Sequence, residues 1–127
     1  MSTSSRHIIK EAGGSAVFSN VVVTGNLVYL AGVIGQKDGK LVPGGIEAET
    51  PVAFDIAKER LATVGLDLSD VVNVTIYLND YKNNLAGLNK VYPAIFPDGL
   101  PARTAIGVAA LPMDAAAEFQ IVASKRS

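Results

Sequence analysis

The 127-residue chain has no cysteine, no tryptophan and a single histidine, His7. Without cysteine there is no disulfide, no thiolate nucleophile and no cysteine metal site. One histidine near the start leaves little material for a zinc site or a catalytic triad, so no metal is expected, and His7 reads as a solvated terminal residue. Neither sign of charge is in excess: 11 basic and 12 acidic residues leave a net −1. That balance gives no general attraction for nucleic acid or for an anionic membrane. No apolar run approaches the roughly 18–20 residues that span a bilayer, and Met1 to Lys10 hold no apolar leader segment. The expectation is a soluble, cytoplasmic protein. The pairs Gly13-Gly14 and Gly44-Gly45 are not followed by G-K-[ST] and read as loop glycines, not as a phosphate cradle.

What is present is apolar. Hydrophobic residues make up 49% of the chain and charged residues 18%. This is a folding composition, and the length suits one domain over residues 1–127. So much apolar surface on a small chain predicts burial between subunits.

Periodicity places the elements. Ser15 to Thr24 and Leu27 to Ile34 are β-rich runs joined by Gly25-Asn26, a hairpin signal. Gln36 to Gly45 reads as a loop with a short strand near Lys40 to Val42. Ala53, Ile56, Ala57, Leu61 and Val64 repeat at helical spacing, with Thr50-Pro51 as N-cap and first position, and Gly65 as the stop. Val71 to Asn79 alternates: Val72, Val74, Ile76 and Leu78 on one face, Asn73, Thr75, Tyr77 and Asn79 on the other. Asp80 caps a second helix with the stripe Leu85, Leu88, Tyr92 and Ile95, in which Pro93 predicts a kink or an early end. Two strands close the chain, around 102–109 and 117–122. The order β-β-(β)-α-β-α-β-β predicts an α+β fold, a mixed sheet with both helices on one face.

Few residues carry chemistry. Arg103 opens the small, apolar strand Ala102-Arg103-Thr104-Ala105-Ile106-Gly107-Val108, and Glu118 follows fifteen residues later on the next strand in sequence. Alternation puts Arg103, Ala105, Gly107 and Ala109 on one face, and Glu118 and Gln120 opposite Phe119 and Ile121. With helices over the apolar face, the expectation is that Arg103, Ala105, Gly107, Glu118 and Gln120 share the open one.

Pro101-Ala102-Arg103-Thr104, with Leu111-Pro112 and Ala117-Glu118-Phe119 beyond it, resembles the C-terminal signature of the RidA/YjgF family of reactive-intermediate deaminases. Gly25-Asn26-Leu27-Val28-Tyr29-Leu30-Ala31-Gly32 is similar to the family's glycine-centred second strand, Val64-Gly65-Leu66 and Val71 to Tyr77 to its first helix–strand unit, and Asn89 and Tyr92 to its second helix. The resemblance implies a chorismate-mutase-like fold: a six-stranded mixed sheet with two helices on one face, closed into a homotrimer with clefts between subunits. It implies hydrolysis of 2-imino acids, or their enamine tautomers, to 2-keto acids with release of ammonia, without cofactor or metal.

The resemblance assigns roles residue by residue. Arg103 would clamp the substrate carboxylate, which its planar fork suits. Glu118 would orient the attacking water. The backbone at Ala105 and Gly32 would hydrogen-bond the ligand. Asn89 fits the site as a hydrogen-bonder, and Tyr92 fits the core. Phe18 stands where the deaminases usually have tyrosine, and Ala31 where they usually have serine. Each change removes a hydroxyl, costing about 1–3 kcal/mol where a buried ligand group relied on it. Altered or weaker imine turnover is one expectation. The alternatives are a deaminase for a more apolar substrate and a trimeric binding module for small carboxylates without turnover. A ribonuclease activity, sometimes attached to the family, ranks last for want of a basic patch and a histidine pair. The expected partners are a small carboxylate and further copies of the chain.

Overall fold

The computed structural model describes residues 6–11 and 13–126. Eight strands and two helices run in the order β1 (Arg6–Ile9), β2 (Val21–Thr24), β3 (Leu27–Leu30), β4 (Gln36–Lys37), β5 (Lys40–Leu41), α1 (Ile46–Ala62), β6 (Val71–Asn79), α2 (Tyr81–Val91), β7 (Ala102–Val108) and β8 (Ala117–Ser124). Six strands form one mixed sheet in the order β1-β2-β3-β8-β6-β7, while β4 and β5 make a separate two-stranded ribbon. Among the described residues only β6 and β7 pair in parallel, with α2 as the crossover between them.

Both helices lie on one face, as expected. Between them and the sheet is a single apolar core that includes Val21, Val28, Leu61, Val74, Ile76, Leu88 and Ile121. Phe54 sits at its centre. Its ring is 4.8 Å from that of Phe119, 5.4 Å from Phe96 and 6.0 Å from Tyr92, between centroids. Burying one such side chain stabilises the fold by about 1.5–3 kcal/mol. The helical spacing pointed to Phe54's neighbours, Ala53 and Ala57, and missed the largest residue on that face.

Several expectations need correction. The first helix starts at Ile46, with Gly45 as its N-cap, so Thr50-Pro51 lies inside it. Pro51 is tolerated because it is only one turn in, where the missing N–H forfeits a single bond. Thr50 is buried, and its hydroxyl donates to the Ile46 carbonyl at 2.7 Å. The first strand is shorter than Ser15 to Thr24: residues 15–20 form a loop, and β1 comes from the polar start of the chain. His7, on β1, is exposed, as a solvated residue should be. The alternation of β6 holds from Asn73 onward. A bulge between Val71 and Asn73 instead puts Val71 in the core and leaves Val72 44% exposed. Pro93 ends α2 early, as expected, and the chain continues as a 3-10 turn from Tyr92 to Ile95. Asp80 precedes α2 in a left-handed conformation, and its carboxylate takes the Asn83 side-chain amide instead of a backbone N–H.

At the end of the chain, Arg126 donates to Asp70 at 2.8 Å and to Asp67 at 3.1 Å.

Candidate active site

The structure divides the expected site residues between the two faces of the sheet. Arg103 pairs in register with Val74 of β6, Ala105 with Ile76 and Gly107 with Leu78. Those three β6 residues are fully buried under the helices. Arg103, Ala105 and Gly107 therefore point to the helix side, and their expected place on the open face is wrong. The reason is the parallel register: β7 is an edge strand whose two sides differ little in polarity, so alternation alone could not orient it. Helix α2 confirms the direction. A β-carbon at Gly107 would stand 3.1 Å from the Tyr81 Cβ.

Two groups from the α2 end fix Arg103. Its Nη2 donates to Asn89 Oδ1 at 2.6 Å. Its guanidinium carbon lies 4.9 Å from the centroid of the Tyr92 ring, a cation–π contact. No carboxylate forms an ion pair with it among the described residues. The cation is thus oriented by neutral partners and keeps donors for an outside anion. Tyr92 is core, as expected, and only 3% exposed; its hydroxyl has no hydrogen-bond partner. Burial pushes that phenol up to about 12, against the charge of Arg103.

Glu118 lies on the opposite face, where it pairs with Tyr77 while Gln120 pairs with Thr75. Its open-face placement is correct. It is not a sheet neighbour of Arg103, however, because β6 runs between β7 and β8. Burial raises the Glu118 acid above the ordinary carboxylate value, and nothing opposes the shift. Among the described residues no hydrogen bond or ion pair ends on its carboxylate.

Its neighbour is Gly32. A β-carbon on Gly32 would sit 2.5 Å from Glu118 Oε2 and 2.9 Å from its carboxyl carbon, so any side chain there would displace this carboxylate. The β3–β8 pairing explains the closeness. Tyr29 pairs with Val122, so an unbroken register would set residue 32 opposite Phe119. Instead Val33 bridges Phe119, with both backbone hydrogen bonds at 2.9 Å. One extra residue lies on the β3 side, and Gly32 is at this bulge. Ala31 is next to it, its amide donating to the Asn20 carbonyl at 2.9 Å.

Glu118, Gly32 and Ala31 therefore come together on one side, and Arg103, Asn89 and Ala105 on the other. Phe18 joins neither group directly. It is 56% exposed, in the loop leading to Asn20, and lines a surface cavity with Ile8, Glu11, Val17 and Ser19. One carboxylate escaped sequence reasoning: Glu49 of α1 is 3% exposed and accepts the Ala116 amide at 2.8 Å. Its position on the apolar side of a helix was a usable signal. No cluster of three or more histidine or acidic side chains suited to a metal occurs among the described residues, and no helix among them is long and apolar enough to cross a membrane.

Known proteins share this fold and sequence. Residues 9–125 match the family model described as endoribonuclease L-PSP. A 2-iminobutanoate/2-iminopropanoate deaminase of Rattus norvegicus is 34% identical over 128 residues, covering 97% of this chain and 93% of its own. A RutC family protein of Pyrococcus horikoshii is 36% identical over 110 residues, covering 85% of this chain and 86% of its own. The crystal structure of yeast Mmf1 superposes with a TM-score of 0.83 at 33% identity, over 89% of this chain and 90% of that one. The YjgF gene product of E. coli does so with a TM-score of 0.82 at 27% identity, over 89% and 91%. With the signature around Arg103, the glycine beside Glu118 and the mixed sheet all in place, the chain belongs to the RidA/YjgF family.

Proposed function

We propose that the protein hydrolyses 2-imino acids, or their enamine tautomers, to 2-keto acids and ammonia. The observation that carries this reading is the Arg103 guanidinium, held by Asn89 and Tyr92 and paired with no carboxylate among the described residues. Such a cation suits the carboxylate of a small acid. The relatives named 2-iminobutanoate/2-iminopropanoate deaminase supply the reaction class.

Glu118 takes a proton from water as the water oxygen bonds to the imine carbon. The proton passes to nitrogen, which gives a carbinolamine; Glu118 then relays the hydroxyl proton to the same nitrogen as the C–N bond breaks, so ammonia leaves and the carbonyl forms. An acid lifted by burial is a better base near neutrality than an ordinary carboxylate. Imines already hydrolyse in water, so positioning supplies most of what is needed.

Arg103 and Glu118 face opposite sides of one sheet, so a single small substrate would meet both only across a boundary between copies. A homotrimer with the site in its clefts meets that need. Support comes from the apolar open face, where Leu27 is 37% exposed, Ile8 38%, Tyr29 41% and Ile106 43%.

The test is ammonia release from freshly generated 2-aminoacrylate, run on the natural chain and on a Phe18→Tyr, Ala31→Ser double variant. Turnover in the natural chain is expected, and its absence would refute the reading. A large gain in the double variant would mean that the missing hydroxyls limit the rate. The second reading, a carboxylate-binding module, is favoured by the apolar Phe18 and Ala31. Calorimetric binding of 2-ketobutyrate without turnover would select it.

A further inference from the structure

We propose that Glu49, which the deaminase reading leaves unused, is a positioning residue for Glu118. The inference rests on that reading of Glu118. Glu49 sits in the first turn of α1 and is almost wholly buried. Its Oε1 accepts the Ala116 amide at 2.8 Å, and the Ala117 amide lies near enough to lower its acid. These amides lie two residues and one residue before Glu118.

The backbone of Glu49 is held from another side. A β-carbon at Gly35 would overlap the Glu49 carbonyl oxygen and Cα. Gly35 is three residues beyond Gly32, whose Cα faces the Glu118 carboxylate. Between them, Val33 exchanges two hydrogen bonds with Phe119. The contacts close a circuit: Glu49 backbone, Gly35, Val33, Phe119, the start of β8, and back to the Glu49 carboxylate. Both ends of the Glu118–Gly32 contact are anchored to one helical residue.

A plain core strut would be apolar, as are Ile46, Ala53 and Phe54 on the same helix. A buried carboxylate costs desolvation, which raises its acid; the Ala116 and Ala117 amides pull it back down, and Asp114 nearby raises it further. What the carboxylate provides is acceptors for a turn that leaves through Met113 (φ 56) and Asp114 (φ 58), two non-glycine residues in the left-handed region. On its far side Ala116 is tied by the Asn79 amide, which donates to its carbonyl at 3.0 Å.

The experiment compares Glu49→Gln and Glu49→Asp with the natural chain. One readout is steady-state ammonia release from 2-aminoacrylate, and the other is the titration midpoint of the Glu118 carboxyl by carbon-13 NMR. Gln keeps an acceptor oxygen at the right reach, so E49Q is expected within about twofold of the natural kcat, with the Glu118 midpoint unmoved. Asp is one methylene short. E49D is expected to lose kcat roughly ten- to a hundredfold, to keep KM within about twofold because Arg103 is anchored elsewhere, and to show the Glu118 midpoint falling toward the ordinary carboxylate value as water reaches it. An E49D with natural kcat and midpoint overturns the proposal, as does one that raises KM alone. An E49Q that loses kcat roughly tenfold or more overturns it too, and that outcome decides the matter even if E49D does not fold. Should the natural chain release no ammonia, the deaminase reading fails and the midpoint alone decides: a shift in E49D sustains the role of Glu49, and an unmoved midpoint ends it.

Discussion

The α2–β7 side of the sheet and the β3–β8 side treat their charged groups in opposite ways. Arg103 is supplied with neutral partners: a side-chain oxygen at 2.6 Å and an aromatic face at 4.9 Å. Glu118 has a glycine at its back and no hydrogen-bonding partner among the described residues. The cation is oriented in advance. The anion is half-buried, its acid weakened by burial, and free to meet something brought to it. On one side the charged group is held by the fold, and on the other it is left unpartnered among the described residues.

The largest expected effect attacks the reactive side. Glu118→Gln keeps the shape and removes the base, so kcat for imine hydrolysis should drop roughly 10²–10⁴-fold with KM little changed. A variant with natural kcat in single-turnover assays would end the claim that the two sides differ in role. Arg103→Ala should act in the other parameter. Losing a charge-assisted contact costs about 2–3 kcal/mol, roughly 30- to 150-fold in affinity for a 2-keto acid, measurable by calorimetry. If both variants are dead and the site is shared between copies, refolding them together should restore about a quarter of natural turnover, because some boundaries then receive one intact member of each kind. No recovery would mean that both groups serve the same subunit's site.

Acidity sharpens the contrast. Glu118 acts as a carboxylate, so kcat/KM should fall on acidification with a midpoint above 4.5, the ordinary value. That limb should vanish in Glu118→Gln. Stability should move the other way. The folded protein holds this proton where the unfolded chain releases it. The resulting stabilisation is full below the ordinary carboxylate range and is lost as pH rises through the raised value. Urea unfolding at a series of pH values checks the sign. The smallest effect belongs to Tyr92→Phe. Its hydroxyl is buried and unpaired, so removing it should leave stability unchanged or raise it by up to about 1 kcal/mol in the same unfolding experiment.

Legibility in the sequence followed the contrast between faces. β6 from Asn73 and β8 alternate strongly, so the outward direction of Glu118 could be read from Phe119 and Ile121 beside it. β7 is an edge strand of small residues, and only its parallel register with β6 decides that Arg103 looks toward α2. Local patterns do not contain register, which is why one half of the site was placed on the wrong face. β1 escaped for a similar reason, since Arg6 and His7 mask a strand that pairs along one edge only. The hairpin turn at Gly25 and the stop at Pro93 were plain because they depend on backbone freedom, a property a residue carries with it. Glu49 was missed because the helix was read as starting at Thr50-Pro51, whereas it starts at Ile46 and carries Glu49 on its buried side.

The extra residue at the β3–β8 bulge has a consequence for how this chain can change. Delete Gly32, and residues 29 to 33 could pair with 122 to 119 without interruption, giving a longer and more regular antiparallel pair. Nothing would then stand aside for the Glu118 carboxylate. Loss of that one codon is expected to keep the β3–β8 pairing and to remove the space beside Glu118, so a screen for expression or heat resistance alone would not protect the bulge. Only a selection that reads the chemistry proposed for Glu118 would hold the bulge in place.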